Sequence, residues 1–340
     1  MKHPMVYAIV IGLALLLALI TVIMVPTAPP GASPTTQATP KTVKIGYQKT
    51  VLYLPIFVAD RRGVFEKLGL KAKLQRFESA SDMIDALVGG DIDATGMSAL
   101  EQVAKKEAEG PGRLRMFLIE GFGKEPWLSS DYILAKSNSG IKSIEDLRGK
   151  KLAVRSGKTF MMYAEIILKK KGLIPGKDVE VIVVPDDEHS IRLRLGHVDA
   201  VFTFEPRATQ ILHRGEGYVL EPAVLARFLF DEPKTIFPGA AVVTTKFVQS
   251  DPETVRKLRD AIYEAVDFIK SNPDEAKAIL GQYTGDDQSV VAKMSLIRWF
   301  KPTDVDKEEV QNLVSLYHRH GVLDKDVNLR GSYLTDADLR

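Results

Sequence analysis

The 340-residue sequence contains no cysteine. This absence excludes disulfide bonds, thiolate metal sites, a cysteine nucleophile and a lipid anchor attached to cysteine. Histidine is also scarce, with six residues, and neither a His-Glu-x-x-His pattern nor a tight His/Asp cluster occurs. The sequence therefore predicts no metal site, and none of its motifs requires a cofactor.

A large excess of charge of either sign is missing as well. Lysine plus arginine number 46, aspartate plus glutamate number 44, and no basic block stands out. We therefore expect no nucleic-acid partner. The apolar share of 45% and the charged share of 26% are ordinary for a folded protein. The chain is long enough to form two lobes, each with a full hydrophobic core.

The N-terminal segment 1–25 is the longest apolar stretch. Residues 6–25 carry no charge, and about 20 apolar residues suffice to span a bilayer as a helix. Lys2 precedes the stretch, which places the rest of the chain outside the cytoplasm. A cleaved signal peptide is the alternative, but its apolar core is shorter, about 7–15 residues, and here prolines crowd the cleavage position. We favour an uncleaved anchor; in either case the remainder is exported to the periplasm or cell surface.

Residues 26–41 are rich in proline and threonine and have no periodic apolar pattern. Such a composition is typical of an extended, semi-rigid linker that holds a domain away from the membrane. The folded part is expected to begin near Thr42.

One unit is written twice in the folded part, at 43–98 and at 151–206. Each copy reads strand, loop, helix, strand, helix, strand, and its third strand opens with Gly-x-(Ile/Val)-Asp-Ala, at Gly90–Ala94 and Gly196–Ala200. Strands that alternate with short helices predict an α/β fold with parallel sheets and helices on both faces. We expect residues 42–124 and 246–340 to form lobe 1 and residues 125–245 to form lobe 2.

Two segments have the composition of hinge crossings between these lobes. Ile119–Trp127 has two glycines and a proline beside aromatic residues, and Ala240–Thr245 is expected to carry the chain back. Beyond the second segment the pattern is helical, and this C-terminal tail is predicted to pack on lobe 1.

Several motifs in this order resemble a known family, the sulfonate/nitrate/taurine-type substrate-binding proteins of ABC transporters and the related pyrimidine-precursor binders. The resemblance spans roughly residues 43–272 and is carried by Ile45–Gln48, Pro55–Ala59, Gly63–Leu70, Gly90–Ala94, Ile144–Lys150, Gly196–Ala200 and Glu205-Pro206. It implies a type II periplasmic-binding-protein fold, with two α/β lobes, a two-crossover hinge and a ligand in the cleft. It also implies a membrane permease and a cytoplasmic ATPase as partners.

The loop after the first strand of the second copy is the strongest candidate for binding an anion. Ligands of open α/β sheets bind beyond the carboxyl ends of the strands, where this loop lies. Ser156, Gly157, Lys158 and Thr159 end a strand and open a helix, so free backbone N–H groups and two hydroxyls can surround an anion. The alternative is an ordinary helix start, with Lys158 pointing into water.

Glu205 follows the last strand of the second copy and is predicted to face the cleft. A carboxylate there would bind an ammonium or amine group, so that a ligand held by both sites would carry both charges, as an aminosulfonate does. The alternative is a common Glu-Pro turn at a strand end.

The remaining candidates are neutral or aromatic. Gln48 and Ser98 follow strands of the first copy and are predicted to donate hydrogen bonds to the ligand. Tyr47, Tyr53 and Trp127 are expected either to form the walls of the pocket or to belong to the core.

These observations predict the solute-binding component of an ABC importer, tethered through its N-terminal segment, monomeric, and specific for a small anion of the sulfonate, taurine or nitrate type. One alternative is a pyrimidine-precursor binder. The other is an enzyme of pyrimidine synthesis, which we disfavour because the enzymes that resemble this family depend on a cysteine-rich motif. We therefore expect no enzymatic activity.

Overall fold

A computed structural model describes residues 39–340. The predicted anchor 1–25 and most of the predicted linker 26–41 lie outside these residues. The strands are β1 Lys41–Tyr47, β2 Leu70–Arg76, β3 Ala94–Ala99, β4 Leu114–Phe122, β5 Asp131–Lys136, β6 Lys150–Val154, β7 Val179–Val183, β8 Ala200–Phe204, β9 Gly217–Pro222, β10 Ile236–Thr244 and β11 Arg298–Phe300.

Helices cover both faces of the strands. They are α1 Leu54–Arg61, α2 Val64–Lys67, α3 Ala80–Gly89, α4 Leu100–Glu109, α5 Lys158–Lys170, α6 His189–Leu195, α7 Arg207–His213, α8 Val224–Phe228, α9 Thr245–Ser250, α10 Pro252–Ser271, α11 Pro273–Thr284, α12 Gln288–Val291 and α13 Lys307–Arg319. Within residues 39–340, none of these helices is long and apolar enough to cross a membrane.

The strands form two separate sheets. The six-stranded sheet has the order β11-β4-β10-β3-β1-β2, and the five-stranded sheet has the order β7-β6-β8-β5-β9. In the first sheet β1 lies parallel to both β2 and β3. In the second sheet β6 lies parallel to both β7 and β8. The unit repeated in the sequence therefore builds the same three-stranded parallel arrangement twice, which confirms the predicted α/β architecture.

The aspartate of the Gly-x-(Ile/Val)-Asp-Ala motif connects the first and third strands of each unit. Asp93 Oδ2 accepts a hydrogen bond from Lys44 N at 2.8 Å, and Asp199 Oδ2 accepts one from Lys151 N at 2.9 Å. Each aspartate N–H also donates to the carbonyl of the same lysine. The motif thus recurs because its aspartate joins the first and third strands in each sheet. This structural role explains the motif without a ligand.

The chain returns to the first sheet earlier than the sequence indicates. β10 contains most of the predicted crossing Ala240–Thr245 and pairs antiparallel with both β3 and β4 of the six-stranded sheet. The crossing segment is instead the stretch 223–235, between β9 and β10. The physical reason is burial: residues 239–243 are almost completely inaccessible and form a central strand. The predicted boundary at residue 245 thus assigns β10 to lobe 2, although it lies in the sheet of lobe 1.

The C-terminal helices pack on helices of the first sheet. Tyr283 in α11 stacks on Phe57 in α1 with ring centroids 4.6 Å apart, and its hydroxyl donates to Asp60. Arg62 lies 3.8 Å from the ring centroid of Phe268 in α10. Apolar burial along these helices is the main source of their stability, because isolated helices of this length are marginal in water.

Candidate functional site

A cleft of about 450 Å³ lies where the carboxyl ends of strands from both sheets meet. Gln48 follows β1 and Ser98 lies near the end of β3 in the first sheet. Arg155 follows β6 and Phe204 ends β8 in the second sheet. Matching positions of the two repeated units thus face each other across the cleft, in the place where open α/β sheets bind their ligands.

The start of α5 forms one wall of the cleft. Gly157 precedes the helix with a φ of 122°, and no side chain caps its first turn with a hydrogen bond. The first N–H groups of a helix have no partner within the helix, so this turn offers donors and a positive dipole end. Ser156 and Thr159 line the cleft beside it and add two hydroxyls.

Arg155 places a positive charge at the same wall. Its guanidinium lies 4.8 Å from the ring centroid of Phe160 and 5.7 Å from that of Phe204. Its Nε is 3.8 Å from Asp186 Oδ1, which is too long for a direct hydrogen bond. The planar guanidinium is therefore held by stacking, and its N–H groups remain able to bind a carboxylate or sulfonate.

Aromatic side chains form much of the remaining wall. Phe160 and Phe204 meet edge to face with centroids 5.5 Å apart, and Phe122 lies 6.4 Å from Phe204. Tyr53 and Tyr163 line the cleft with them. Such a wall favours a ligand with an apolar body over a bare inorganic ion.

The neutral polar side chains at the first sheet already form hydrogen bonds within the protein. Gln48 Nε2 donates to Glu78 O at 2.9 Å, and the Tyr53 hydroxyl lies 3.3 Å from Gln48 Oε1 and 3.0 Å from Met97 O. Ser98 Oγ donates to Thr95 Oγ1 at 3.0 Å, which leaves the oxygen of Ser98 free to accept. These bonds fix the positions of Gln48 and Ser98 at the wall of the cleft and use the donor groups that the sequence predicts for a ligand.

Two acidic side chains, Glu101 and Glu120, line the opposite side of the cleft. Burial raises the pKa of Glu120 to about 8, with a further contribution from the charge of Glu101. Burial likewise raises the pKa of Glu101, and Lys105 and Arg155 act in the opposite direction. The cleft thus combines a cationic wall at α5 with an acidic floor.

Hydrogen bonds around this cleft join the two sheet units, that is, each sheet together with the helices packed on it. The hydroxyls of Tyr163 in α5 and Tyr317 in α13 are 2.6 Å apart and buried. Gln210 Nε2 in α7 donates to Asp286 Oδ1 at 2.8 Å. These contacts would have to break for the cleft to open widely, so the structure has the character of a closed form.

Five of the candidate residues named from the sequence line the cleft: Gln48, Tyr53, Ser98, Ser156 and Thr159. They come from both repeated units, and all except Tyr53 lie at strand ends or in the first turn of a helix. Their contact with a ligand remains a prediction.

Three predicted residues near these positions point elsewhere. Tyr47 packs edge to face on Phe57, with centroids 5.3 Å apart, as part of the lobe core. Gly157 shapes the start of α5 without lining the cleft. Lys158 is exposed, and its Nζ lies 3.5 Å from Gly321 O. The polar composition of the loop therefore does not indicate which of its side chains faces the cleft.

Trp127 and Glu205 also lie outside the cleft lining. Trp127 is 67% exposed and borders a different cavity of about 500 Å³, together with Leu128 and Trp299. Glu205 is buried, and it accepts hydrogen bonds from Thr209 N at 3.1 Å and Thr209 Oγ1 at 2.8 Å. Burial raises its pKa to about 7, while these bonds lower it in part. These contacts give Glu205 a structural role at the start of α7 and lend no support to amine binding there.

Sequence reasoning missed Arg155, Phe204, Glu101 and Glu120. Arg155 directly precedes the loop residues Ser156–Thr159 that the sequence indicates. The sequence also predicts that the end of β8 lies at the cleft, but alternation along the strand turns Phe204 to the cleft instead of Glu205. The available signal for Glu120 is a lone acid in the otherwise apolar run Phe117–Phe122. A buried strand rarely carries an acid unless the acid has a partner.

Comparison with known proteins gives a consistent picture. A model of the NMT1/THI5-like family matches residues 52–276. A protein of Brucella abortus (strain 2308) described as "Putative binding protein" is 28% identical over 228 residues, which cover 66% of this chain and 66% of that protein. A Bacillus subtilis (strain 168) protein described as "Putative aliphatic sulfonates-binding protein" is 27% identical over 264 residues, 74% of this chain and 72% of the relative.

A solved structure shares the fold. The periplasmic aliphatic sulphonate binding protein of Escherichia coli superposes with a TM-score of 0.71 at 21% identity, covering 87% of this chain and 92% of that chain. This likeness confirms the periplasmic-binding-protein fold predicted from the sequence.

Proposed function

Because the chain belongs to the NMT1/THI5-like family, we propose that it is the extracytoplasmic solute-binding component of an ABC importer. In this role the two sheet units close on a small organic ligand, and the closed form delivers the ligand to a membrane permease driven by a cytoplasmic ATPase. The observation that carries the proposal is the cleft lined by matching strand ends of both units.

The ligand proposed for this cleft is a small organic acid of the sulfonate type. Its acid group would lie at the start of α5, where the Arg155 guanidinium, the hydroxyls of Ser156 and Thr159 and the first backbone N–H groups converge. Its apolar part would rest against Phe160 and Phe204. A bare ion such as nitrate would leave this aromatic surface uncovered, so we propose an organic ligand.

In this role the protein is a receptor without enzymatic activity and works as a monomer. Both relatives described above carry the words "binding protein" in their descriptions. The N-terminal apolar segment would tether the receptor to the membrane or direct its export.

A melting screen of the full chain in mild detergent tests this proposal. The panel contains alkanesulfonates, taurine, nitrate, bicarbonate and aminopyrimidines. A ligand that binds only the folded state stabilises it by about 2.7 kcal/mol at a hundred times its Kd, so the melting temperature must rise with concentration. We expect the rise with sulfonates and not with nitrate. A rise with aminopyrimidines alone would favour the pyrimidine-precursor alternative, and no rise with any organic acid would refute the proposed ligand.

A further inference from the structure

Glu120 is the most unusual side chain of the cleft. It lies within β4, opposite Gly239 of the neighbouring β10, and it is only 3% exposed. The residue lines the cleft, and its buried Oε2 has no hydrogen-bond partner among the described residues. A buried polar atom without a partner is costly, so its presence calls for an explanation.

The other three acids that are almost fully buried, Glu107, Asp131 and Glu205, are all satisfied by the protein. Glu107 accepts from Gly112 N and Leu114 N at 2.6 and 2.7 Å, and Asp131 accepts from Leu225 N at 2.7 Å. Glu205 accepts from the backbone and the hydroxyl of Thr209. Of the four almost fully buried acids in residues 39–340, Glu120 is thus the one with an oxygen that lacks a hydrogen-bond partner, and it lines the cleft. The buried oxygens of Asp186 and Glu309 also lack a hydrogen-bond partner, but each lies within 4 Å of a cationic side chain, Arg155 or Lys234.

The surroundings of Glu120 provide space but no counter-charge. A Cβ built on Gly239 would lie 2.4 Å from Glu120 Oε1, so the glycine makes room for the carboxyl group. No lysine, arginine or histidine of residues 39–340 lies within ion-pair distance, 4 Å, of the Glu120 carboxyl group. The charge of Glu101 acts on it as well and has the same sign. The missing partner is therefore a group that enters the cleft.

We propose that Glu120 determines specificity by binding a nitrogen of the ligand that is positively charged, so that this receptor selects an amine-bearing organic acid. The inference rests on the proposed function, because the acid group of the same ligand occupies the start of α5. Glu101 also lines the cleft and adds a second acidic side chain beside Glu120, which strengthens the preference. A sulfonate without an amine would leave the Glu120 oxygen unpaired.

The experiment uses three small probes that separate the two ends of such a ligand. Ethanesulfonate presents the acid alone, ethylammonium presents the amine alone, and taurine presents both. Their binding to the full chain in mild detergent is measured by titration calorimetry. The variants are Glu120→Gln, which keeps the shape but cannot ionise when an amine binds, and Glu205→Gln, a matched control at a buried glutamate outside the cleft. Circular dichroism verifies that both variants fold.

We expect taurine to bind more tightly than ethanesulfonate, by on the order of ten- to a hundredfold, as for a hydrogen bond to a charged group. Glu120→Gln should abolish this preference and leave ethanesulfonate binding unchanged or stronger, while Glu205→Gln should keep the preference.

Equal binding of taurine and ethanesulfonate would overturn the role of Glu120 and leave the proposed function standing. A preference that survives Glu120→Gln, or that is lost only in Glu205→Gln, would do the same. Binding of ethylammonium without any binding of ethanesulfonate would instead refute the acid-binding function while supporting Glu120. No binding of any probe would overturn both.

Discussion

The paired aspartates of the repeated unit lead to a quantitative stability prediction. Replacing Asp93 by alanine removes the acceptor of the 2.8 Å bond from Lys44 N, and replacing Asp199 by alanine removes the 2.9 Å bond from Lys151 N. A hydrogen bond to a charged group contributes about 1.5–3 kcal/mol when it is shielded from water. Both aspartates are only half-buried, so water replaces part of the lost bond. We expect each substitution to lower the free energy of unfolding by about 1–2 kcal/mol.

Such a loss corresponds to a fall in melting temperature of about 1.5–3 °C for a chain of this size. The assay is thermal unfolding of the full chain followed by circular dichroism, with Asp91→Ala as control. Asp91 is exposed and contributes only its backbone carbonyl to Lys44 Nζ, so its side chain should be dispensable. The two motif variants should shift by similar amounts. A shift no larger than that of the control would refute the role assigned to the motif.

Two further predictions concern the cleft. Tyr163→Phe removes the buried hydrogen bond to the Tyr317 hydroxyl, which joins the two halves of the cleft. A neutral hydrogen bond contributes about 0.5–1.5 kcal/mol, so the ligand affinity measured by calorimetry should fall about two- to tenfold. Unchanged affinity would show that closure does not depend on this bond. The second prediction is a fall in stability as pH rises. Burial raises the pKa of Glu120 to about 8, so the folded chain holds a proton that the unfolded chain has lost, and stability should decrease between about pH 5 and 8. Glu120→Gln should flatten this decrease in melting temperature, and an unchanged slope would contradict it.

The repeated unit and the position of the cleft could be predicted from the sequence because they depend on patterns along single strands. The alternation of strands with helices and the two Gly-x-(Ile/Val)-Asp-Ala motifs identify matching strands, and their carboxyl ends mark the cleft. Gln48, Ser98, Ser156 and Thr159 follow from this rule.

The remaining site residues depend on contacts that the sequence pattern does not contain. A shift of one residue at the end of β8 decides whether Phe204 or Glu205 faces the cleft. Glu120 lies in β4, which pairs with β10, a strand that follows the second repeated unit by about 30 residues of chain. Trp127 is exposed because it lies in the short turn Pro126–Leu128 between β4 and β5, which borders the second cavity instead of the cleft.

The central claim is that the cleft between the two sheet units binds a small organic acid at the start of α5. Calorimetric titration of ethanesulfonate into the full chain and into two variants tests it most directly. Arg155→Gln and Lys158→Gln remove the same charge three positions apart, but only Arg155 lines the cleft. We predict that Lys158→Gln binds like the unchanged chain and that Arg155→Gln binds on the order of ten- to a hundredfold more weakly. Equal effects of the two substitutions, or none from Arg155→Gln, would contradict the account.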